Sequence, residues 1–384
     1  MTPHRPREHG VPGLAGAFGL TLAAAFYLAT SATAIGPNPY ISQFSKTTVL
    51  SSTVPANGDQ NPYGIVVAPK TAGRLRAGDI LVSNFNNQGP TKNGQPTGGG
   101  NQGEGNTIVQ FAPDGSHMRL FARIPVKDFS GGVGLTTALA ALPDGYVVVG
   151  SLPTSNGMSA TMKAGTLIIL SPQGRVAGKI TGSPINGPWD MTSVSGHGTT
   201  TLFVSNVLNG TVAASPHVVD RGTVVRIELR TKGTGVPRVM GERVIASGFA
   251  ERTDPAALVV GPTGLGLSHG TLYVADSVNS RLAQIPNAVG RMNVAGHGGT
   301  TLTSGGQLSD PLGLTIAPGG DVLSANGANG QVVETTPSGH QVAYNQIDQN
   351  NGNGAGDLFG IAVPPGDNGL LFVDDFDNTL RLLH

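Results

Sequence analysis

A short unit recurs along the chain: an apolar run, then Asn or Asp, then Asn three residues later. Its copies are Ile80 to Ser83 with Asn84 and Asn87, Leu202 to Ser205 with Asn206 and Asn209, and Leu272 to Ala275 with Asp276 and Asn279. A weaker copy is Val322 to Ala325 with Asn326 and Asn329, and a fifth runs from Gly369 to Leu382, where Asp375 and Asn378 are read as the polar pair. Asn and Asp side chains accept bonds from nearby backbone N–H groups and fix turns, so each copy reads as strand, polar turn, strand. Five copies argue for one shared structural job rather than five ligand sites.

Flanking signals complete the unit. First strands open at Pro62-Tyr63-Gly64-Ile65, Gly134-Leu135, Pro188-Trp189-Asp190-Met191, Pro262-Thr263-Gly264-Leu265, Pro311-Leu312-Gly313-Leu314 and Leu358-Phe359-Gly360-Ile361. Turns such as Pro113-Asp114-Gly115, Pro143-Asp144-Gly145 and Pro318-Gly319-Gly320 separate the strands, with Pro presetting φ and Gly taking positive φ. Six units of about four strands each predict an all-β, six-bladed β-propeller. Each small sheet has two apolar faces that only neighbouring blades can cover. The sixth unit ends after three strands, whereas Thr47-Thr48-Val49-Leu50-Ser51 stands without a hairpin partner. The ring is therefore expected to close by pairing Val49 with the strand at Leu380–Leu382, which removes an open edge.

The 384 residues include 58 Gly and 27 Pro, and Lys+Arg equals Asp+Glu at 23 each. A neutral chain argues against nucleic acid or an anionic membrane as partner. The absence of cysteine removes disulfides, a thiol nucleophile and thiolate metal sites. Residues 1–34 read as a signal peptide: Arg5 and Arg7, an apolar core from Val11 to Leu28, and a small-residue site at Ala32-Thr33-Ala34. Residues 35–384 are then a single propeller domain, exported to a periplasmic or extracellular space, monomeric, and free of the membrane once the leader is removed.

These units resemble the NHL repeat family, in its secreted bacterial type with distant gluconolactonase-like fold relatives. The resemblance rests on the Pro62, Pro262 and Pro311 openings and on Leu272 to Leu282, and covers roughly residues 60–384. It implies a six-bladed propeller and leaves the function open, because binding scaffolds, sensor ectodomains, lactonases, amidating lyases and streptogramin lyases share that fold. Lactonases of this kind hold a divalent metal with a Glu, two Asn and an Asp. Here Gln60-Asn61-Pro62-Tyr63 stands where the first-blade Glu would be expected.

Departures from the repeat carry the functional expectations. The loops 84–106, 151–164 and 206–221 are long and belong to adjacent blades 1 to 3, which predicts a wall on the channel-mouth face. Asp190, beside the chain's single Trp189, replaces the glycine read at Gly64, Gly134, Gly264, Gly313 and Gly360. With Asp310, Asp357 and Asn61 it could form an oxygen-rich ring suited to Ca²⁺. The expected ligand-facing set is Asn61, Tyr63, Trp189, Asp190, Asp310 and Asp357, with Asp190, Asp310 and Asp357 as metal candidates. Asp190 and His217 are the catalytic candidates, the latter beside Asp220 in a loop where a His/Asp pair could move protons. No Gly-x-Ser-x-Gly elbow, His-Glu-x-x-His or phosphate loop is present. The leading expectation is a binding or scaffold module, for a protein or small-molecule ligand, acting through the long loops. The alternative is a metal-assisted hydrolase, lactonase- or esterase-like, or a lyase at the central channel.

Overall fold

The computed structural model describes residues 38–89, 91–92, 95–96, 102–233, 235–349 and 354–384. The leader read over 1–34, and parts of the loop 84–106, lie outside them. The folded unit runs from Asn38 to His384.

Six antiparallel sheets form the blades of a propeller. Blade 1 comprises Asp59–Val67, Ile80–Asn87, Thr107–Phe111 and Arg119–Arg123. Blade 2 comprises Leu139–Ala141, Val147–Ser151, Thr166–Leu170 and Val176–Ile180. Blade 3 comprises Pro188–Gly196, Thr199–Asn206, Val219–Arg230 and Arg238–Asp254, with a short added strand, Leu258–Val260. Blade 4 comprises Pro262–Ser268, Thr271–Asp276, Arg281–Ile285 and Thr300–Ser304. Blade 5 comprises Pro311–Ile316, Val322–Asn326, Gln331–Thr335 and Gln341–Gln346. Blade 6 comprises Leu358–Ala362, Leu370–Asp374 and Thr379–Leu383, and its outer strand is Thr47–Ser52, with Val49 opposite Arg381.

Buried apolar side chains lie between successive blades, as a two-faced sheet requires. Leu81, Ile108, Val147 and Ile168 pack together between blades 1 and 2; Phe203, Val224, Leu272 and Val274 do so between blades 3 and 4. The lead into the closing strand is pinned to blade 5, where buried Glu334 accepts the Tyr40 and Ile41 N–H groups, each at 2.8 Å.

Strand register corrects two readings of the repeat. Pro62, Pro188, Pro262, Pro311 and Leu358 pair with Asn84, Asn206, Asp276, Asn326 and Asp374. The blade 6 hinge is therefore Asp374 and Asp377, whose N–H donates to Asp374 at 3.0 Å. Asp374 also pairs with Arg381, just as Asp276 pairs with Arg281. Asp375 and Asn378 sit one residue further on, released from that job. In blade 2, Gly134 is not the counterpart of Gly64. The Gly150 N–H bonds the Ala138 carbonyl, and Leu135 shares the positive φ of Asn61 and Asp310, the residues immediately before Pro62 and Pro311. The blade 2 counterpart of Gly64 is thus Ala138, which leaves Leu135, not a polar residue, at the mouth.

A third difference lies in blade 3. The outer strand runs from Arg238 past the end of its partner to Asp254, turns, and returns as Leu258–Val260, an extension that no repeat signal in the sequence marks. Asp254 closes the tip of this extension by accepting the Ala256 and Ala257 N–H groups at 2.8 and 3.0 Å.

Candidate functional site

The first strands converge on the axis so tightly that a Cβ on Gly64, Gly313 or Gly360 would lie 2.1 Å from a carbonyl oxygen of the next blade. The residues just before these positions point into the channel and close it. Tyr63, Trp189, Leu312 and Phe359 are all buried. Tyr63 stacks against Trp189 and Phe359 at centroid distances of 5.6 and 5.0 Å, and Trp189 Nε1 donates to Tyr63 Oη at 2.7 Å. This aromatic floor divides the axis into two cavities.

Above the floor, on the face carrying the loops that leave the second strands, is a cavity of about 540 Å³. One wall is polar: Asn61, Asp310, Asp357, Asp375 and Asn378. The rest of the lining is more apolar, with Phe85, Leu135, Ala257 and Val260, although Asn86, Thr137 and Asp254 stand among them. The division follows from the sequence at the entry to each first strand. Adjacent blades 5, 6 and 1 carry Asp310, Asp357 and Asn61 there, whereas blades 2, 3 and 4 carry Leu135, Gly187 and Gly261. The blade 3 hairpin roofs the apolar side. Gln102 of the blade 1 loop donates to the Ala256 carbonyl, and Ser159 of the blade 2 loop donates to the Leu258 carbonyl at 2.6 Å. The described parts of the long loops thus meet over the mouth.

Hydrogen bonds order the polar wall. The Asn61 N–H donates to Asn378 Oδ1 at 2.6 Å, and Asn61 Oδ1 accepts from Asn86 Nδ2 at 3.0 Å. Burial pushes the Asp375 carboxyl up to about 7, partly offset by a hydrogen bond from Asn61 and reinforced by Asp357 and Asp374. Burial also raises Asp310 to about 6, with Arg252 opposing and Asp254 adding to the shift. Desolvation disfavours the charged carboxylate, which is why both groups titrate well above an ordinary Asp, Asp375 keeping a proton nearer to neutrality than Asp310.

Below the floor, a second cavity of about 440 Å³ contains Asp190. Its Oδ2 accepts the Leu265 N–H of blade 4 at 2.8 Å. Burial raises its carboxyl to about 7 against the stabilising Leu265 and Met191 N–H groups. Asp190 is therefore separated by the floor from Asn61, Asp310 and Asp357, and no single oxygen ring contains all four. Depth along the channel, which the sequence does not encode locally, divides them. His217 is exposed on its loop and lines neither cavity.

The mouth residues do not fit a resident divalent cation as placed. Among the described residues no three acidic or histidine side chains converge, and the amide oxygens of Asn61 and Asn378 already accept hydrogen bonds. A Ca²⁺ ion needs six to eight oxygens. Asp375, Asn378 and the blade 3 hairpin were missed by reading the sequence. The one signal for the first two was the doubled acidic pair Asp374-Asp375, which allows the hinge to be read in either of two frames.

No family model matches this chain, and no curated protein matches it. Among solved structures it is similar to regucalcin, a calcium-binding protein from Agrobacterium tumefaciens, with a TM-score of 0.50, 12% identity, and coverage of 88% of this chain and 95% of that one. It is also similar to a luciferin-regenerating enzyme, with a TM-score of 0.50, 11% identity and coverage of 88% and 95%. A gluconolactonase from Xanthomonas campestris aligns with a TM-score of 0.49 and 14% identity over 88% of each chain. At these identities the likeness is one of fold.

Proposed function

We propose that the protein is an enzyme of hydrolase or lyase type that acts on a small ester- or lactone-like molecule in the mouth cavity by carboxyl acid–base chemistry. The observation that carries this reading is the placement of Asp310 and Asp375 on one wall of a roofed cavity, facing a more apolar lining over a closed floor. A volume of about 540 Å³ suits a small organic ligand rather than a protein segment. The scaffold reading has less support, because the blade 1 and blade 2 loops are engaged with the blade 3 hairpin in forming the roof.

The two carboxyls divide the labour by their surroundings. Asp310, at about 6, is largely ionised at neutral pH and serves as the base toward water or toward a carbon-bound proton. Asp375, at about 7, retains a proton to give to the carbonyl or leaving oxygen. Asn61 holds Asp375 in place, while Phe85 and Phe359 receive the apolar body of the substrate and help exclude water. No step is routed through a metal ion, since the donors as placed do not form a cage for one.

The test is turnover of a panel of lactones and esters near neutral pH. Asp310→Asn and Asp375→Asn should each lower kcat/KM by about 10²- to 10⁴-fold, while His217→Ala leaves it unchanged. Equal turnover by wild type and both Asn variants, or no turnover by the wild type on any member of the panel, overturns the proposal.

A further inference from the structure

The lower cavity has a chemistry of its own. Four blades place glycine at its narrowest ring, at Gly64, Gly264, Gly313 and Gly360, and blade 2 places Ala138. Packing explains this, since a Cβ there meets the neighbouring blade's backbone at 2.1 to 2.4 Å. Blade 3 instead inserts the carboxylate of Asp190. The insertion is accommodated locally: Ser205 Oγ accepts the Asp190 N–H at 3.1 Å and donates to the Thr263 carbonyl at 2.8 Å, bridging blades 3 and 4. Ser83 makes the same bridge from Gly64 to blade 2 without any carboxylate being present. The bridge therefore does not account for Asp190.

Nor does charge pairing. No Lys, Arg or His lines the cavity, and Asp190 is its only charged residue among the described residues. Its side chain faces a sleeve built from Ile65, Val67, Leu314 and Ile361, with the hydroxyls of Thr192 and Ser193 beside it. A carboxylate set beside an apolar sleeve, with the Leu265 and Met191 N–H groups as donors and no counter-ion, is incomplete electrostatically.

We infer that the lower channel is a binding site for a small organic cation, an ammonium group carried on a narrow aliphatic body, with Asp190 as its counter-ion. A bare metal ion fits less well. A hard divalent cation requires six to eight oxygens and favours charged ones, whereas the sleeve offers one carboxylate and the neutral hydroxyl residues Thr192, Ser193, Ser195 and Thr315 among aliphatic side chains. An alkylammonium matches both features: the head pairs with Asp190 and the tail is buried against the aliphatic wall. This site lies across the floor from the mouth and does not depend on the activity proposed there.

The floor supplies the reporter. Trp189 is the chain's only tryptophan; it forms the floor between the two cavities, lines the mouth side and immediately precedes Asp190, so its fluorescence responds to a ligand on either face and the Asp190 and Asp310 variants tell the faces apart. Titration of the full chain with n-butylammonium chloride should change Trp189 emission saturably, while 1-butanol over the same range does not. Asp190→Asn should weaken the apparent affinity by tenfold or more, the scale of a charge-assisted hydrogen bond. Should that variant fail to fold, Asp190→Gly, which restores the residue of four other blades, gives the same reading. Asp310→Asn should leave the titration unchanged. The inference is overturned by the absence of a saturable response in the wild type, by unchanged affinity in the Asp190 variants, or by an equal response to 1-butanol. It is equally overturned if Asp310→Asn weakens the response, which puts the ligand at the mouth, or if calcium chloride gives the same response at lower concentration.

Discussion

Substitution of Gly360 by alanine tests how the ring closes and how closure supports the floor. Its Cβ would lie 2.1 Å from the Tyr63 carbonyl oxygen and 3.0 Å from Ile65 Cγ2. The backbone there is not in the left-handed region, so the cost is steric rather than torsional. A carbonyl in a strand cannot swing away as a side chain can, so the first strands of blades 6 and 1 must part by about 1 Å, with lost packing on both sides. Overpacking of this kind costs about 1–3 kcal/mol, and the rigid partner places Gly360→Ala near the upper end. For a unit of this length that corresponds to a fall in thermal midpoint of about 3–5 °C. The displacement also moves Phe359, and with it Tyr63, so substrate affinity at the mouth should fall. Gly196→Ala is the matched control, because nothing lies within 4 Å of a Cβ there. Urea unfolding of the two variants side by side is the assay. If Gly360→Ala unfolds within about 0.5 kcal/mol of Gly196→Ala, the account of ring packing is wrong.

Two further outcomes follow from the same geometry. Tyr63→Phe removes the acceptor of a buried indole N–H and should cost about 1–3 kcal/mol in urea unfolding; a neutral result would mean that Trp189 finds another acceptor. Asp310 and Asp375 are raised to about 6 and about 7 in the folded chain, so the native state keeps protons that the unfolded chain has released. Their contribution to stability is complete below the unfolded value and is lost as pH rises through about 6 to 7, which urea midpoints at about pH 5 and pH 8 should show. Asp375→Asn should flatten that slope, and an unchanged slope would place the titration elsewhere.

Much of the fold is legible because its signals are local. Alternating apolar runs and Pro, Gly and Asn turns each act over a few residues, so six units can be counted without knowing how they pack. The orphan strand at Val49 is legible by subtraction, since a sheet lacking one strand and a strand lacking a sheet imply each other. The site is less legible because it depends on register and depth. Asp374 and Asp375 both satisfy the turn pattern, and only the pairing of Leu358 with Asp374 shows which of them faces the cavity. Gly134 and Ala138 both sit before an apolar run in blade 2, and the hydrogen bond from Gly150 to the Ala138 carbonyl within that blade decides between them. Asp190 and Asp310 occupy neighbouring places in their repeats, but one residue faces below the aromatic floor and the other above it.

The seam in blade 6 has a consequence for how the molecule is made. Thr48 pairs with Leu382 and Thr47 with Leu383, so a strand synthesised before every blade is completed by one synthesised after all of them. Until then both strand edges remain open, and the loop to be closed is nearly the whole folded unit, which makes closure slow relative to pairing within each blade. A chain lacking Thr379–Leu383 has a ring that cannot latch, and its exposed edge favours proteolysis or aggregation. The seam thus makes the outer edge of blade 6 the place where assembly of the ring is completed or fails.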